Sequence, residues 1–363
     1  MASFQKRGNT WQYTVSAKPK NIRKGGFKTK KEAQIAAAQI EGNLSKSVIK
    51  SLKPQPFDQY FDNWVKLYKT NISESTKSHY NDTLNVIKDY FANVPIQDIT
   101  RNDYQLFINQ YGSKRAKETV DKLNRHIRSC VKDAVEDMII PFDFTRKVTL
   151  TYKVESKRPD QKHLNYEESK KLKKLVLDRL DQGLGYYIIF LALVTGMRFS
   201  EIVGLTRKDF DFKNNVINVD KTWNYKFDDP RFAPTKNHEV RKIKINKATM
   251  DLFKPLVKKS TLNINNLVFY SPKSRHQVIT NTNVNKLLRS ILSELKLKDL
   301  TIHGLRHTHA SVLLYKKVSI NYISERLGHK NLETTWKTYA HILKEMRKED
   351  EDNTIKILDE LLV

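Results

Sequence analysis

The sequence predicts a multidomain chain, mainly α with small β-sheets (α+β), and three observations carry that reading. Its 363 residues are enough for two or three domains. From residue 57 onward apolar side chains recur mostly at helical spacing, while alternation of period two is confined to short stretches such as Trp11, Tyr13 and Val15. Proline-containing and basic segments at 45–56 and 148–160 interrupt the pattern. Together these imply a small three-stranded sheet plus helix at 1–50, a four-helix unit at 56–150, a mixed α/β unit at 160–345 and a tail at 346–363.

The elements follow in order. Phe4, then Trp11, Tyr13 and Val15, predict two strands around Arg7-Gly8-Asn9, with a third strand near Phe27. Thr29 and Glu32 form a capping-box pattern before an alanine-rich helix. Lys and Arg number 11 against 2 acids over residues 1–50, with Lys18, Lys20, Arg23, Lys24 and Lys28 clustered in the middle. Residues 45–56 read as a linker. Phe57, Tyr60, Phe61, Trp64 and Leu67 then give a first helix its apolar stripe, and Tyr80, Leu84, Ile87 and Phe91 a second. Thr100 caps a third helix. The fourth spans about 116–139 and buries Val120, Leu123, Ile127, Val131, Ala134, Val135 and Met138, leaving Lys114, Arg115, Lys117, Lys122, Arg125, Arg128 and Lys132 on its other side.

Beyond 160, Asn165 and Glu168 cap a Lys-rich helix, and Tyr186 to Thr195 reads as a buried one. Gly196 ends it and Ser200 is positioned to cap the next, which puts Arg198 at a junction where its guanidinium can reach a cleft. Glu201 is placed to orient that arginine or to support the helix start. Val216 to Val219 and Val240 to Ile245 are strands, with Lys236 in a turn-forming segment between them. A further short strand at 267–271 and an amphipathic helix from Asn283 to Leu297 lead into 301–341.

Charge narrows the partner. Lys and Arg exceed Asp and Glu by 66 − 40 = +26. Alongside 16 Tyr, 16 Phe and 4 Trp this points to a polyanion, with nucleic acid first. The longest apolar run, 186–194, is too short to span a membrane, and no lipidation signal is present. The opening residues have no apolar signal core, so a cytoplasmic location is expected. The single cysteine, Cys130, excludes an intramolecular disulfide and a Cys-rich zinc site, and its helical context makes it a core residue.

The chemistry concentrates in 301–341. His303 and Arg306 share a helix face, with Ala310, Leu313 and Leu314 anchoring that helix. His329 follows in a Leu-Gly-His turn, and Tyr339 comes ten residues later. No carboxylate or thiol accompanies the imidazoles, and Arg cannot ligate a metal. A phosphodiester suits the set: Arg forks across non-bridging oxygens, His meets developing charge, and Tyr can attack phosphorus. Taken alone, the pair of His303 and Arg306 also fits a plain basic helix, and Lys236 a solvated turn.

The blocks TGMRFSEI, HGLRHTHA, LGH and TTWKTYAH, in that order, resemble the tyrosine recombinase (phage integrase) family over about 160–345. The resemblance implies a catalytic set of Arg198, Lys236, His303, Arg306, His329 and Tyr339. It makes 56–150 a core-binding (SAM-like) domain and 1–50 an arm-binding module like that of integrases from temperate phages and integrative elements. Tyr339 then attacks DNA to leave a 3′-phosphotyrosine and a free 5′-hydroxyl, with Arg198 and Arg306 holding the developing charge. His303 is the favoured acceptor of the phenol proton, His329 donates to a non-bridging oxygen, and Lys236 protonates the leaving oxygen. No cofactor is expected: there is no GxxxxGK[ST] loop, and the positive side chains take a metal's electrostatic role. Implied partners are double-stranded DNA at core and arm sites and a homo-tetramer on that DNA, with an excisionase and a host DNA-bending protein as accessory candidates. A topoisomerase or a chromosome-dimer resolvase uses the same chemistry but has no need of the N-terminal module. A non-enzymatic DNA-binding protein leaves the six ordered residues unexplained. The acidic tail carries Ile355, Leu358 and Leu361 or Leu362 at helical spacing, for packing on its own domain or on a neighbouring protomer.

Overall fold

The structure is a computed structural model describing residues 2–16, 21–51, 53–156, 158, 161–225, 229–236, 238–259, 263–345 and 347–361, with the backbone alone described at 43–51, 337, 340–345, 347–350, 353 and 361. It divides into two compact units, Met1–Ser156 and Lys157–Val363.

In the first unit, β1 (Ala2–Arg7), β2 (Thr10–Val15) and β3 (Ile22–Phe27) form an antiparallel sheet with β2 central. Its inward residues Tyr13 and Val15 are covered by Ala33 and Ala37 of α1 (Lys30–Ser51). Alanine at those positions lets the helix lie close to the strands. Half of the predicted box forms as expected, Glu32 N donating to Thr29 Oγ1 at 3.2 Å, while the return bond shifts by one residue, the Glu32 carboxylate accepting from Lys28 N at 3.1 Å. Arg23, Lys24 and Lys28 are exposed, whereas Lys18 and Lys20 lie outside the described residues. The expected linker at 45–56 is mostly helix, since α1 runs to Ser51.

Four helices follow: α2 (Phe57–Tyr68), α3 (Glu74–Phe91), α4 (Arg101–Gly112) and α5 (Lys117–Glu136). They share a core containing Phe57, Phe61, Trp64, Ile87, Phe107 and Ile127, with Cys130 buried in it. Thr100 caps α4 in a reciprocal box with Asp103, and Trp64 Nε1 donates to Asp133 at 2.7 Å. Two expected core residues are exposed. Leu67 lies in the last turn of α2, beyond the reach of its partners, and Met138 follows the end of α5 with φ +59°. The basic segment 148–160, read as a connector between domains, contains the boundary between the two units, and its first part is docked: Thr149 and Gln105 exchange hydrogen bonds at 2.8 and 2.9 Å, and Lys153 N donates to Gly112 O at 3.1 Å. Gly112 permits this, since a Cβ there would stand 1.9 Å from Thr151 O.

The second unit is built around one apolar helix. After α6 (Tyr166–Asp178), capped by Asn165 and Glu168, comes α7 (Leu184–Thr195), buried on nearly all sides. Then follow α8 (Phe199–Val203), β4 (Phe210–Asp211), β5 (Val216–Val219), a hairpin of β6 (Lys221–Asn224) and β7 (Arg231–Pro234), and β8 (Arg241–Lys244), which returns to pair with β5. The hairpin was not anticipated. Lys236 therefore lies between strands of two different sheets, not in a simple turn between β5 and β8. Residues 267–271 form isolated bridges to Thr206 and Val278 and no continuous strand. The chain closes with α9 (Lys247–Lys259), α10 (Asn281–Glu294), α11 (Ile302–Tyr315), α12 (Ile320–Leu327), α13 (Leu332–Glu345) and α14 (Arg347–Leu361). Helix α11 packs along α7, and Leu305 joins the core that α7 dominates. Among the described residues no helix is long and apolar enough to cross a membrane.

Candidate active site

Two glycine turns frame the site. Gly196 ends α7 with φ +68°, and a Cβ there would meet Leu327 and His309 at 2.7 and 2.8 Å. Gly328 ends α12 with φ +69°. Both conformations suit glycine, and both leave backbone carbonyls turned toward neighbouring guanidinium groups. Arg306 on α11 bridges the two turns, donating from its two terminal nitrogens to Gly196 O and Leu327 O, each at 2.7 Å. It is 2% exposed and makes no ion pair among the described residues. Burial first, and then the charge of Arg198, draw its pKa down to about 9, so it stays cationic at neutral pH.

Arg198, not Ser200, is the residue that caps α8. Its backbone N–H donates to Glu201 Oε2 and its side chain to Glu201 Oε1, both at 2.8 Å, while its other terminal nitrogen reaches Gly328 O at 3.3 Å. Glu201 therefore does both things expected of it, orienting Arg198 and supporting the helix start. A residue missed in the sequence completes the arrangement. Arg241 on β8 donates to both oxygens of Glu201, at 2.6 and 3.1 Å, and through Nε to Arg326 O at 2.8 Å. Glu201 is 0% exposed. Burial pushes its pKa up, but the hydrogen bonds and charge of Arg241 and Arg198 outweigh that and hold it below the usual carboxylate range. The signal was present in the register of VRKIKI: Ile243 points inward on β8, so Arg241 must too.

His303 lies one turn before Arg306 on α11. Desolvation of part of its ring, then Arg306, Arg198 and Lys236, lower its pKa. Lys236, exposed in the turn after β7, is thus brought into the field of His303 although no hydrogen bond joins them. His329 follows Gly328, and its Nδ1 meets Thr335 Oγ1 at 2.7 Å. Thr335 in turn donates to Ser324 at 3.1 Å, so it accepts a hydrogen bond from His329 Nδ1–H and leaves Nε2 as the unprotonated ring nitrogen. Burial, then Arg306 and Arg198, lower this imidazole to about 4.

Tyr339 on α13 is 1% exposed, in a cluster with Ala310, Leu314, Ile323 and Leu327. Burial raises its pKa, and Arg306 opposes the rise. Its hydroxyl pairs with His307 Nδ1 at 3.0 Å, not with His303. His307, also missed, is legible as the residue four after His303 on the same helix face. The third histidine of that block, His309, is buried between Leu193 O and Arg326 Nε, each at 3.0 Å, and serves the fold. Among the described residues no group of three His, Cys, Asp or Glu could hold a metal ion. A cavity of about 880 Å³ lies elsewhere, beside Leu252, Tyr322 and Arg326.

The phage integrase family model matches residues 162–346, which hold every one of these side chains. The chain belongs to the phage integrase family. Two further models match, an arm DNA-binding domain at 3–44 and a phage integrase N-terminal SAM-like domain at 56–111. The integrase of Staphylococcus phage L54a is 26% identical over 357 residues, 88% of this chain and 98% of that protein. Among solved structures, the integrase of transposon Tn1549 in complex with a circular intermediate DNA superposes with TM-score 0.68 at 21% identity, over 81% of this chain and 98% of that one. A lambda integrase tetramer bound to a Holliday junction gives TM-score 0.56 at 17% identity, over 90% and 95%. This phage integrase family member is a tyrosine recombinase, an enzyme of site-specific DNA recombination.

Proposed function

We propose that Arg198, Lys236, His303, Arg306, His329 and Tyr339 form one active site that cleaves and rejoins DNA through a 3′-phosphotyrosine, to integrate and excise a mobile element. The observation that carries this is Arg306: a guanidinium 2% exposed whose hydrogen bonds go to carbonyls and not to an acid. A buried charge without a counter-ion is costly, and a phosphodiester arriving between Arg306 and Arg198 relieves that cost. The Tyr339 oxygen attacks phosphorus and the 5′-oxygen leaves, protonated by Lys236. His303, whose lowered pKa keeps its ring neutral, lies toward the Lys236 side of the site. His329 donates from Nε2 once its ring carries a second proton, which the approaching phosphate charge favours. One phosphodiester is exchanged for another, so no energy source is needed.

The substrate on this reading is double-stranded DNA. The core site is gripped by the second unit and the basic side of α5, where Lys122, Arg125 and Lys132 are exposed. The arm site is read by the sheet carrying Arg23 and Lys24, with Lys28 just after its last strand. Joining two distant sites requires sharply bent DNA, which calls for a host bending protein, and an excisionase would set direction. Four protomers act together, as in the lambda tetramer, in the cytoplasm on the host nucleoid. Helix α14 supports assembly: Ile355 and Leu358 are 59% and 54% exposed, so they are not covered by their own domain and are available to a neighbour. Leu361 has no described side chain, and Leu362 lies outside the described residues.

The test is covalent adduct formation on a core-site duplex, read as protein–DNA species that survive SDS. Tyr339→Phe abolishes the adduct and leaves DNA affinity nearly unchanged, because one hydroxyl is the nucleophile while the +26 charge supplies the binding. Adducts from the Phe variant at the native rate would transfer the role to another residue, first to the exposed Tyr322.

A further inference from the structure

We infer that His307 is the base that takes the proton from Tyr339 when the phenol attacks phosphorus. The inference rests on Tyr339 being the nucleophile. A nucleophile and its base must lie within hydrogen-bond reach, and Nδ1 of His307 lies 3.0 Å from the Tyr339 hydroxyl. Burial decides where the proton can go. At 1% exposure the phenol has no bulk water beside it, and its hydroxyl has no other hydrogen-bond partner among the described residues. His303 is one helical turn away, and its ring stands perpendicular to that of His307 with centroids 5.0 Å apart.

The protonation state agrees with this role. His307 is lowered to about 4 by burial first, then by His303 and Arg306 on its own helix and by His163 and Lys162 on the segment before α6. The neutral ring accepts at Nδ1 from the phenol, which leaves the oxygen lone pairs available for attack. In the step, the Tyr339 O–H bond breaks as N–H forms at His307, O–P forms, and the bond from phosphorus to the 5′-oxygen breaks. The leaving oxygen takes its proton from Lys236. In ligation the same proton returns from His307 to the departing phenol. Charge created on His307 is offset by the charge gathering on phosphorus, so the low basicity of the free site is not its basicity during reaction. His303 is then left to the phosphate and Lys236 side of the site.

The experiment uses the full chain, a nicked core-site duplex that traps the adduct, and a fluorinated tyrosine of lower phenol pKa installed at position 339. His307→Ala is expected to slow adduct formation by roughly 10²–10⁴-fold at unchanged DNA affinity. His307→Gln can still accept a hydrogen bond but cannot take the proton, so it should be as slow. The fluorinated tyrosine, which needs a base less, should recover tenfold or more in both His307 variants and not in His303→Ala. Adducts from His307→Ala at or above the native rate would show that the contact is only a resting latch, and would overturn the assignment. So would full activity of His307→Gln, or recovery confined to His303→Ala. Tyr339→Phe runs alongside: adducts from it would show that the nucleophile itself is misassigned, a failure distinct from that of the base.

Discussion

Replacing Arg241 with Met should destabilise the second unit and disable Arg198 without touching a group that meets DNA. Arg241 supplies two hydrogen bonds to a carboxylate that is 0% exposed and a third to Arg326 O. Removing one partner of a buried pair costs about 3–5 kcal/mol. Arg198 still donates twice to Glu201, which places the expected loss near the lower end, about 3 kcal/mol. For a unit of this size that corresponds to a fall in melting temperature of roughly 6–12 °C.

The loss should also depend on pH, with a defined sign. Glu201 is held below its ordinary value of 4.5 in the folded state. Its contribution is therefore complete above that value and is lost as pH falls through the depressed folded pKa. In the variant, burial is less opposed, so the carboxyl protonates at higher pH and relieves its own unpaired charge. The gap in melting temperature between native chain and variant should be full at pH 7 and should narrow as pH falls through the variant's raised Glu201 pKa toward the depressed native one. Thermal melting of the whole chain across that range measures it, and adduct formation should fall on the order of 10–10²-fold as Arg198 loses its seat. A variant melting within 2 °C of native at neutral pH, or a gap of constant size across the range, would refute the reasoning.

Two other expectations concern separate parts of the chain. Lys236→Ala should cleave ordinary DNA poorly and recover on a duplex whose 5′-bridging oxygen is replaced by sulfur, because that leaving group needs no proton; absence of recovery moves the acid to another group, with Lys242 or Lys244 next. Deleting 353–363 should leave binding to a single core site unchanged and weaken cooperative pairing of two sites, measured by gel shift; equal cooperativity would mean the exposed apolar residues of α14 serve no neighbour.

What was legible in the sequence was whatever a local pattern dictates. The boxes at Asn165–Glu168 and Thr100–Asp103 are three-residue relationships, and the apolar run of α7 needs no partner to be recognised. The motif residues were legible because chemistry constrains their type. Features set by tertiary context were not. Leu67 has the spacing of a core residue but no neighbour to cover it, and the strands of the β6–β7 hairpin are too short at four residues each to show a period. Ser200 has better capping chemistry than Arg198, yet the position goes to Arg198 because Glu201 folds back onto its N–H. His307 shares the face of His303, but its partner Tyr339 comes from α13, which no local pattern around His307 reveals.

Arg241 also explains how a buried site keeps its charge. If Glu201 served Arg198 alone, the two would neutralise one another and Arg198 would have little left for a substrate. Both Glu201 oxygens are instead engaged by Arg241, which never needs to meet DNA, while Arg306 is held by carbonyls that cost it no charge. Three guanidiniums and one carboxylate leave a formal +2, before Lys236 is counted; the histidines, their pKa values lowered, add none at neutral pH. A phosphodiester carries one negative charge, and attack by an oxyanion brings phosphorus and its oxygens toward two. If Arg198 and Arg306 hold the phosphodiester as proposed, the cluster is overcharged for the ground state and balanced for the transition state. This is the direction in which fixed charge accelerates a reaction instead of merely binding its substrate.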